Sequence, residues 1–226
     1  MVRPGARPSL SAPIKSRLSY LLEVGRRRGE ARLAGVLLHG RGITPEGKVD
    51  LAARLGNLEG IRWVVPGGHI RSWYPNRFWD PVEANEPFLS EAVALCDEAL
   101  TEASEDGRLA PEHLAVVGFS QGACIAVEYA LRHPGRCGRL IVLTGGRMGQ
   151  PGSDWRAVHK TTLTGLRVFL TGSDVDEWIP EASSRETARV LEDLGASVTL
   201  RIYKGRSHVV CDEELGEVRR LLEASL

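Results

Sequence analysis

The sequence predicts an α/β protein with a mostly parallel central sheet and helices on both of its faces. Three observations carry that expectation. From Leu33 onward, apolar β-prone runs alternate with amphipathic helical segments, the pattern of strand–helix–strand units. Most of those runs are apolar throughout rather than alternating, as strands buried on both faces are. The 226 residues show no internal repeat, low-complexity tract or second composition block, so one domain over 14–226 is expected behind a mobile, proline-bearing arm over 1–13.

Taken in order, residues 14–33 fit either a helix or an early strand. Five strands in one register follow: Gly35–His39 (GVLLH), Ile61–Pro66 (IRWVVP), Leu114–Gly118 (LAVVG), Arg139–Leu143 (RLIVL) and Leu166–Gly172 (LRVFLTG). A sixth, Ser197–Tyr203, alternates, with Val198, Leu200 and Ile202 on one side, as an edge strand with one solvated face does. Helices are expected over Lys48–Asn57, Pro87–Ser104, Gln121–His133, Pro180–Leu194 and Asp212–Leu226, where apolar residues recur every three or four positions. The segments between Pro66 and Pro87 and between Leu143 and Leu166 have room for flaps but not for a helical cap domain.

Composition narrows the partners. Lys+Arg and Asp+Glu both total 29, so no net charge draws the chain to nucleic acid or anionic lipid. The four cysteines are scattered without metal-ligand spacing, which fits reduced thiols in a cytoplasmic protein without a metal or other cofactor. The first apolar stretch, Leu18 to Val24, is short and includes Glu23, so neither a secretory signal nor a membrane span is expected there.

The chemistry sits in Gly118-Phe119-Ser120-Gln121-Gly122, which follows a buried strand and precedes a helical pattern. That is the context of a nucleophile elbow, in which the central residue is strained and its neighbours at two before and two after must be small. A serine hydroxyl needs a base and an orienting carboxylate, both expected downstream in the order acid, then histidine. Of His133, His159 and His208, the first lies too far along the elbow helix and the second in a polar stretch, which leaves His208, after the last strand. Asp174, Asp176 and Glu177 compete for the acid, and spacing mildly favours Asp176. An oxyanion needs preorganised N–H donors. The amide of Gln121, at a helix start, is one candidate, and that of Arg41, in His39-Gly40-Arg41-Gly42, is the other.

With these motifs placed, the chain resembles the α/β-hydrolase fold, and within it the phospholipase/carboxylesterase family that includes acyl-protein thioesterases. The resemblance runs from about Gly35 to the C-terminus and rests on Leu38-His39-Gly40, Ser72-Trp73-Tyr74, the elbow, and an Asp four residues before a Pro, here Asp176 and Pro180. It implies Ser120, Asp176 and His208 as a catalytic triad, with Arg41 and Gln121 as oxyanion amides. The chain departs from the family pattern at Ile43, Pro75, Ala123 and Ser207, positions that bear on substrate more than on fold.

The function expected is hydrolysis of a carboxylic ester or thioester through an acyl-serine intermediate. The alternative is a non-hydrolytic member of the fold, either a small-ligand receptor or a biosynthetic acyl-transfer or cyclisation catalyst. Trp73, Tyr74 and Trp178 are candidates for an apolar substrate pocket, or else pin the loops to the body. The expected partner is a small ester or thioester substrate, with a homodimer left open.

Overall fold

The computed structural model describes residues 21–43, 45–55, 60–66, 72–153 and 161–224, without the side chains at 45, 46, 48 and 49. The arm expected over 1–13 lies outside them. Seven strands form one sheet in the order β1-β3-β2-β4-β5-β6-β7. They are β1 (Leu22–Gly25), β2 (Leu33–Leu38), β3 (Ile61–Val65), β4 (Leu114–Phe119), β5 (Arg139–Leu143), β6 (Arg167–Ser173) and β7 (Ser197–Tyr203). All neighbours pair in parallel except β1, which runs antiparallel to β3. The helices are α1 (Pro45–Leu55), α2 (Phe88–Ala103), α3 (Gln121–Arg132), α4 (Glu181–Asp193) and α5 (Asp212–Glu223).

The unbroken apolar runs bury both faces of the sheet, as expected. Val36, Leu38, Val116 and Val142 join one core with residues of α2, α3 and α4. Their neighbours Leu37, Val117, Ile141 and Leu143 join a second with residues of α1 and α5. β7 closes one edge, its residues alternating between exposed and half-buried. No cap domain is inserted among the described residues: the segment before α2 carries one short 3-10 turn, Val82–Asn85. No helix among them is long and apolar enough to cross a membrane.

Of the stretch that fitted either a helix or a strand, residues 14–20 lie outside the described residues and the remainder contains β1. Four residues are too few to show a period. What holds them is the buried Arg62 guanidinium of β3, which meets Glu23 of β1 and the Glu102 carboxylate of α2. β2 starts at Leu33 rather than Gly35, because the glycine is an interior residue of the strand and not its boundary. A Cβ there would lie 2.5 Å from the Ala115 carbonyl oxygen and against the Trp63 ring.

The strand order also positions the site. From β2 the chain goes first to β3 on one side and then to β4 on the other, so the crossovers diverge between β2 and β4. In an open α/β sheet the crevice beyond the carboxyl ends of such a strand pair is where ligands bind. Close approach there is set by glycine: a Cβ on Gly122 would lie 2.3 Å from the Leu38 carbonyl oxygen. Gly122→Ala is therefore expected to lower stability by roughly 1–3 kcal/mol through overpacking. Gly216→Ala, in α5 where a Cβ would meet nothing within 4 Å, is expected to be neutral or stabilising. Urea midpoints of the two variants check the contrast.

Candidate active site

Ser120 joins β4 directly to α3 with φ +54° and ψ −118°, in the left-handed half of backbone space that side chains avoid. Its N–H donates to the Leu143 carbonyl at 3.0 Å, and its own carbonyl accepts from Cys124 N–H at 3.1 Å. A Cβ on Gly118 would fall 2.3 Å from the Gly122 carbonyl oxygen, so the glycine at each flank is a steric requirement. Ala123, where the family pattern favours glycine, is accommodated across the core: a Cβ on Gly145 would lie 2.3 Å from the Ala123 methyl group.

Three loops at the carboxyl edge of the sheet bring together the residues expected to act as a triad. His208 Nε2 lies 2.8 Å from Ser120 Oγ, and His208 Nδ1 lies 2.8 Å from Asp176 Oδ2 and 3.1 Å from Oδ1. A carboxylate only accepts, so Nδ1 carries the hydrogen and Nε2 is left to accept from the serine hydroxyl. Asp176 is itself aimed: its Oδ1 accepts the Trp178 and Ile179 amides at 2.8 Å each, and its side chain is fully buried. Asp174, its rival, is exposed and accepts the Gly205 amide at 2.7 Å, tying the acid loop to the histidine loop. Glu177 is exposed and accepts from the Trp178 indole at 3.1 Å. The Phe119 ring lies against the His208 imidazole, with centroids 5.3 Å apart.

Around the two expected oxyanion amides a set of polar contacts stitches three loops together. Gln121 is the first residue of α3, where helix N–H groups have no acceptor within the helix. Its side chain accepts from Trp73 N–H at 3.0 Å and donates to the Tyr74 carbonyl at 2.7 Å and Ser72 Oγ at 3.2 Å. The Trp73 indole N–H donates to the His39 carbonyl at 2.7 Å. The Arg41 guanidinium fans out to the carbonyls of Tyr74, Pro75 and Asn76 at 2.9–3.1 Å. Sequence reasoning took only the backbone of Gln121 and Arg41 and missed the clamping work of their side chains. A buried amide side chain directly after the elbow serine was the available signal.

The same contacts bear on the two readings of the flap aromatics. Trp73 and Tyr74 are each 3 % exposed and pack in the core, so they back the 72–76 loop rather than line an opening. Trp178 is 60 % exposed, beside the exposed Val175, and Val209 is exposed next to His208. Cys124, one turn after Ser120, is fully buried, and burial pushes its thiol up to about 11, which favours the thiol over the reactive thiolate. Arg147 is spent on Glu186 at 2.6 Å, and His133 stacks on Tyr129 at the far end of α3. His159 lies outside the described residues. Among those described, no three His, Cys, Asp or Glu side chains group as metal ligands do.

Comparison with known proteins agrees with the geometry. A family model described as phospholipase/carboxylesterase matches residues 22–226. The chain is 24 % identical over 230 residues to acyl-protein thioesterase 1 of Saccharomyces cerevisiae, covering 91 % of this chain and 98 % of that protein. The crystal structure of a phospholipase/carboxylesterase from Dyadobacter fermentans superposes with a TM-score of 0.81 at 32 % identity, over 89 % of this chain and 95 % of that one. The Bacillus cereus carboxylesterase shares the fold, with a TM-score of 0.69 at 18 % identity over 91 % and 94 % of the two chains. With the family model spanning all but the first 21 residues and the sheet and elbow in agreement, the chain belongs to the phospholipase/carboxylesterase family of α/β-hydrolases.

Proposed function

We propose that Ser120 is the nucleophile of this ester or thioester hydrolase, with His208 as its base and then its acid, and Asp176 as the group that orients the imidazole. The observation that carries the reading is the unbroken run of hydrogen bonds from Ser120 Oγ through His208 to Asp176, 2.8 Å at each step. Ser120 Oγ forms a bond to the carbonyl carbon as its proton passes to His208 Nε2, and the carbonyl electron pair moves onto oxygen. The amides of Gln121 and Arg41 receive that oxyanion, helped by the positive end of the α3 dipole. Collapse breaks the bond to the leaving oxygen or sulfur, which departs with the proton from His208. Water, deprotonated by the same imidazole, then releases the acid and restores the serine.

The reading extends to the substrate and its setting. Val175, Trp178 and Val209 flank the acid and the histidine with exposed apolar surface, which supports an uncharged, apolar acyl or leaving group held against Trp178. Zero net charge supports a small neutral substrate over nucleic acid. Four unpaired cysteines, three of them buried, support work in the reducing cytoplasm. All three proposed triad residues come from one chain, so a second copy is not needed to complete the site.

A fluorophosphonate probe is expected to label the wild-type protein at Ser120 and to leave Ser120→Ala unlabelled; labelling that survives the substitution removes the serine from the mechanism. Asp176→Asn is expected to lower turnover of a nitrophenyl ester by about 10⁴-fold by presenting the wrong partner to the imidazole. Asp174→Asn, which only loosens a loop tie, is expected to cost far less, and a reversed ranking hands the acid's role to Asp174. Across nitrophenyl esters from acetyl to palmitoyl, Trp178→Ala is expected to raise KM for the longer chains, and an unchanged KM profile takes Trp178 out of the substrate site.

A further inference from the structure

Beneath the proposed triad lies a closed ring of buried polar groups that no step of the reaction uses. Thr144, just past β5, donates its N–H to Thr171 Oγ1 of β6 at 3.0 Å, and the Thr171 hydroxyl donates to Glu214 Oε1 of α5. Glu214 Oε2 accepts from Arg206 Nη1 at 2.6 Å, and Arg206 Nη2 donates to Thr144 Oγ1 at 2.7 Å, which closes the ring. Thr144, Thr171 and Glu214 have no exposure, and the Arg206 side chain is 7 % exposed.

Stability alone is a poor account of this ring. A buried guanidinium–carboxylate pair loses so much hydration that apolar residues of equal volume commonly stabilise as well or better. Thr144 adds strain: it is β-branched, yet sits at φ +53°. Strained residues persist where the surroundings over-determine them, and they cluster at functional sites.

What the ring touches gives it a purpose. The peptide group linking Leu143 to Thr144 is held from both sides: its N–H by Thr171 in the ring, its carbonyl by the Ser120 N–H at 3.0 Å. Arg206 stands two residues before His208, and its carbonyl accepts from Ser173 Oγ at 2.6 Å, at the root of the acid loop. Glu214 Oε2 also accepts the Cys211 N–H at 3.3 Å, three residues after His208. The histidine thus rides on a short span whose two ends are held by one carboxylate, and that carboxylate is rigidly connected to the peptide that seats the nucleophile.

We propose that Arg206 and Glu214 are positioning residues for the reaction, and that their ring with Thr144 and Thr171 fixes the separation of Ser120 Oγ and His208 Nε2. The inference rests on the reading of Ser120 as nucleophile and His208 as base. Thr144, Thr171 and Glu214 have no exposure and Arg206 little, so loosening the ring acts on kcat and on serine activation and leaves KM nearly alone.

The test compares Glu214→Gln, Arg206→Met and the double variant Arg206→Met/Glu214→Leu in three measurements: thermal unfolding, nitrophenyl acetate kinetics, and the rate constant for phosphonylation by a fluorophosphonate. Each single variant is expected to lower Tm, because it leaves a buried partner unpaired, and to lower kcat by about tenfold to 10²-fold, the scale of a small misplacement of reacting groups. KM stays within about threefold, and phosphonylation slows in step with kcat. The double variant is expected to regain most of the lost Tm while kcat stays low. Recovery of kcat together with Tm overturns the inference, as do single variants with kcat within about twofold of wild type, or a loss confined to KM. Should the singles not fold, Thr144→Ala, which removes only the acceptor for Arg206, is expected to lower kcat, and Thr144→Ser to restore it; equal kcat in the two overturns the inference. A wild-type protein inert to both ester and probe sinks the hydrolase reading and this inference with it, whereas an active wild type matched by its double variant sinks this inference alone.

Discussion

At the carboxyl end of β4 the backbone must pass from strand to helix in a single residue, with no space for a side chain on either flank. Gly118 and Gly122 face backbone carbonyls at distances no Cβ tolerates. That steric demand forces Ser120 to φ +54°, lifts its hydroxyl to the edge of the sheet and starts α3 immediately behind it. The helix start supplies both an amide without a helical acceptor and the positive end of a dipole. The proposed nucleophile and half of the proposed oxyanion site thus follow from one close approach. The remaining polar architecture brings other loops up to it.

Two kinds of grip do so. On the β2 side the contacts run mostly from side chain to backbone: Gln121, the Trp73 indole and the Arg41 guanidinium all bond to main-chain groups of a neighbouring loop. Such bonds tolerate sequence change in the loop they hold, because any residue presents the same carbonyl. On the β6–β7 side bonds of that kind are joined by bonds between side chains, a buried charge pair among them. That half is specific to the residues present. It is also the half that has to hold the imidazole to a fraction of an ångström.

How much of this was legible in the sequence follows from the range of each signal. Strands buried on both faces write themselves as unbroken apolar runs, and the elbow is a local pattern of glycines, so β4, Ser120 and α3 could be read directly. The order Ser120, Asp176, His208 came from chain order and from the resemblance, because spacing by itself left Asp174 and Glu177 in contention. β1 was not readable: four residues hold no period, and their place depends on Arg62 in a strand about 40 positions on. Trp73 and Tyr74 stayed open between pocket and loop anchor for a related reason. An aromatic pair in a flap looks the same in sequence whether it faces ligand or core, and only the Gln121 and His39 contacts decide. Glu214 was hidden within an acidic helix start, Asp212-Glu213-Glu214, where three carboxylates suit the helix dipole equally well.

The acid loop shows why two aspartates two residues apart are not interchangeable. β6 ends at Ser173, and the turn that follows presents two amides, Trp178 and Ile179, inward to a single carboxylate oxygen. Asp176, three residues before Ile179, receives both. With Oδ1 held by these two amides, Oδ2 makes the shorter contact with His208 Nδ1, 2.8 Å against 3.1 Å for Oδ1. Asp174 precedes that turn, and its carboxylate reaches the Gly205 amide instead, at the foot of the histidine loop. One aspartate therefore sets the direction of the imidazole while the other sets the height of its loop. The division follows from where the amides face, which backbone geometry determines and charge does not.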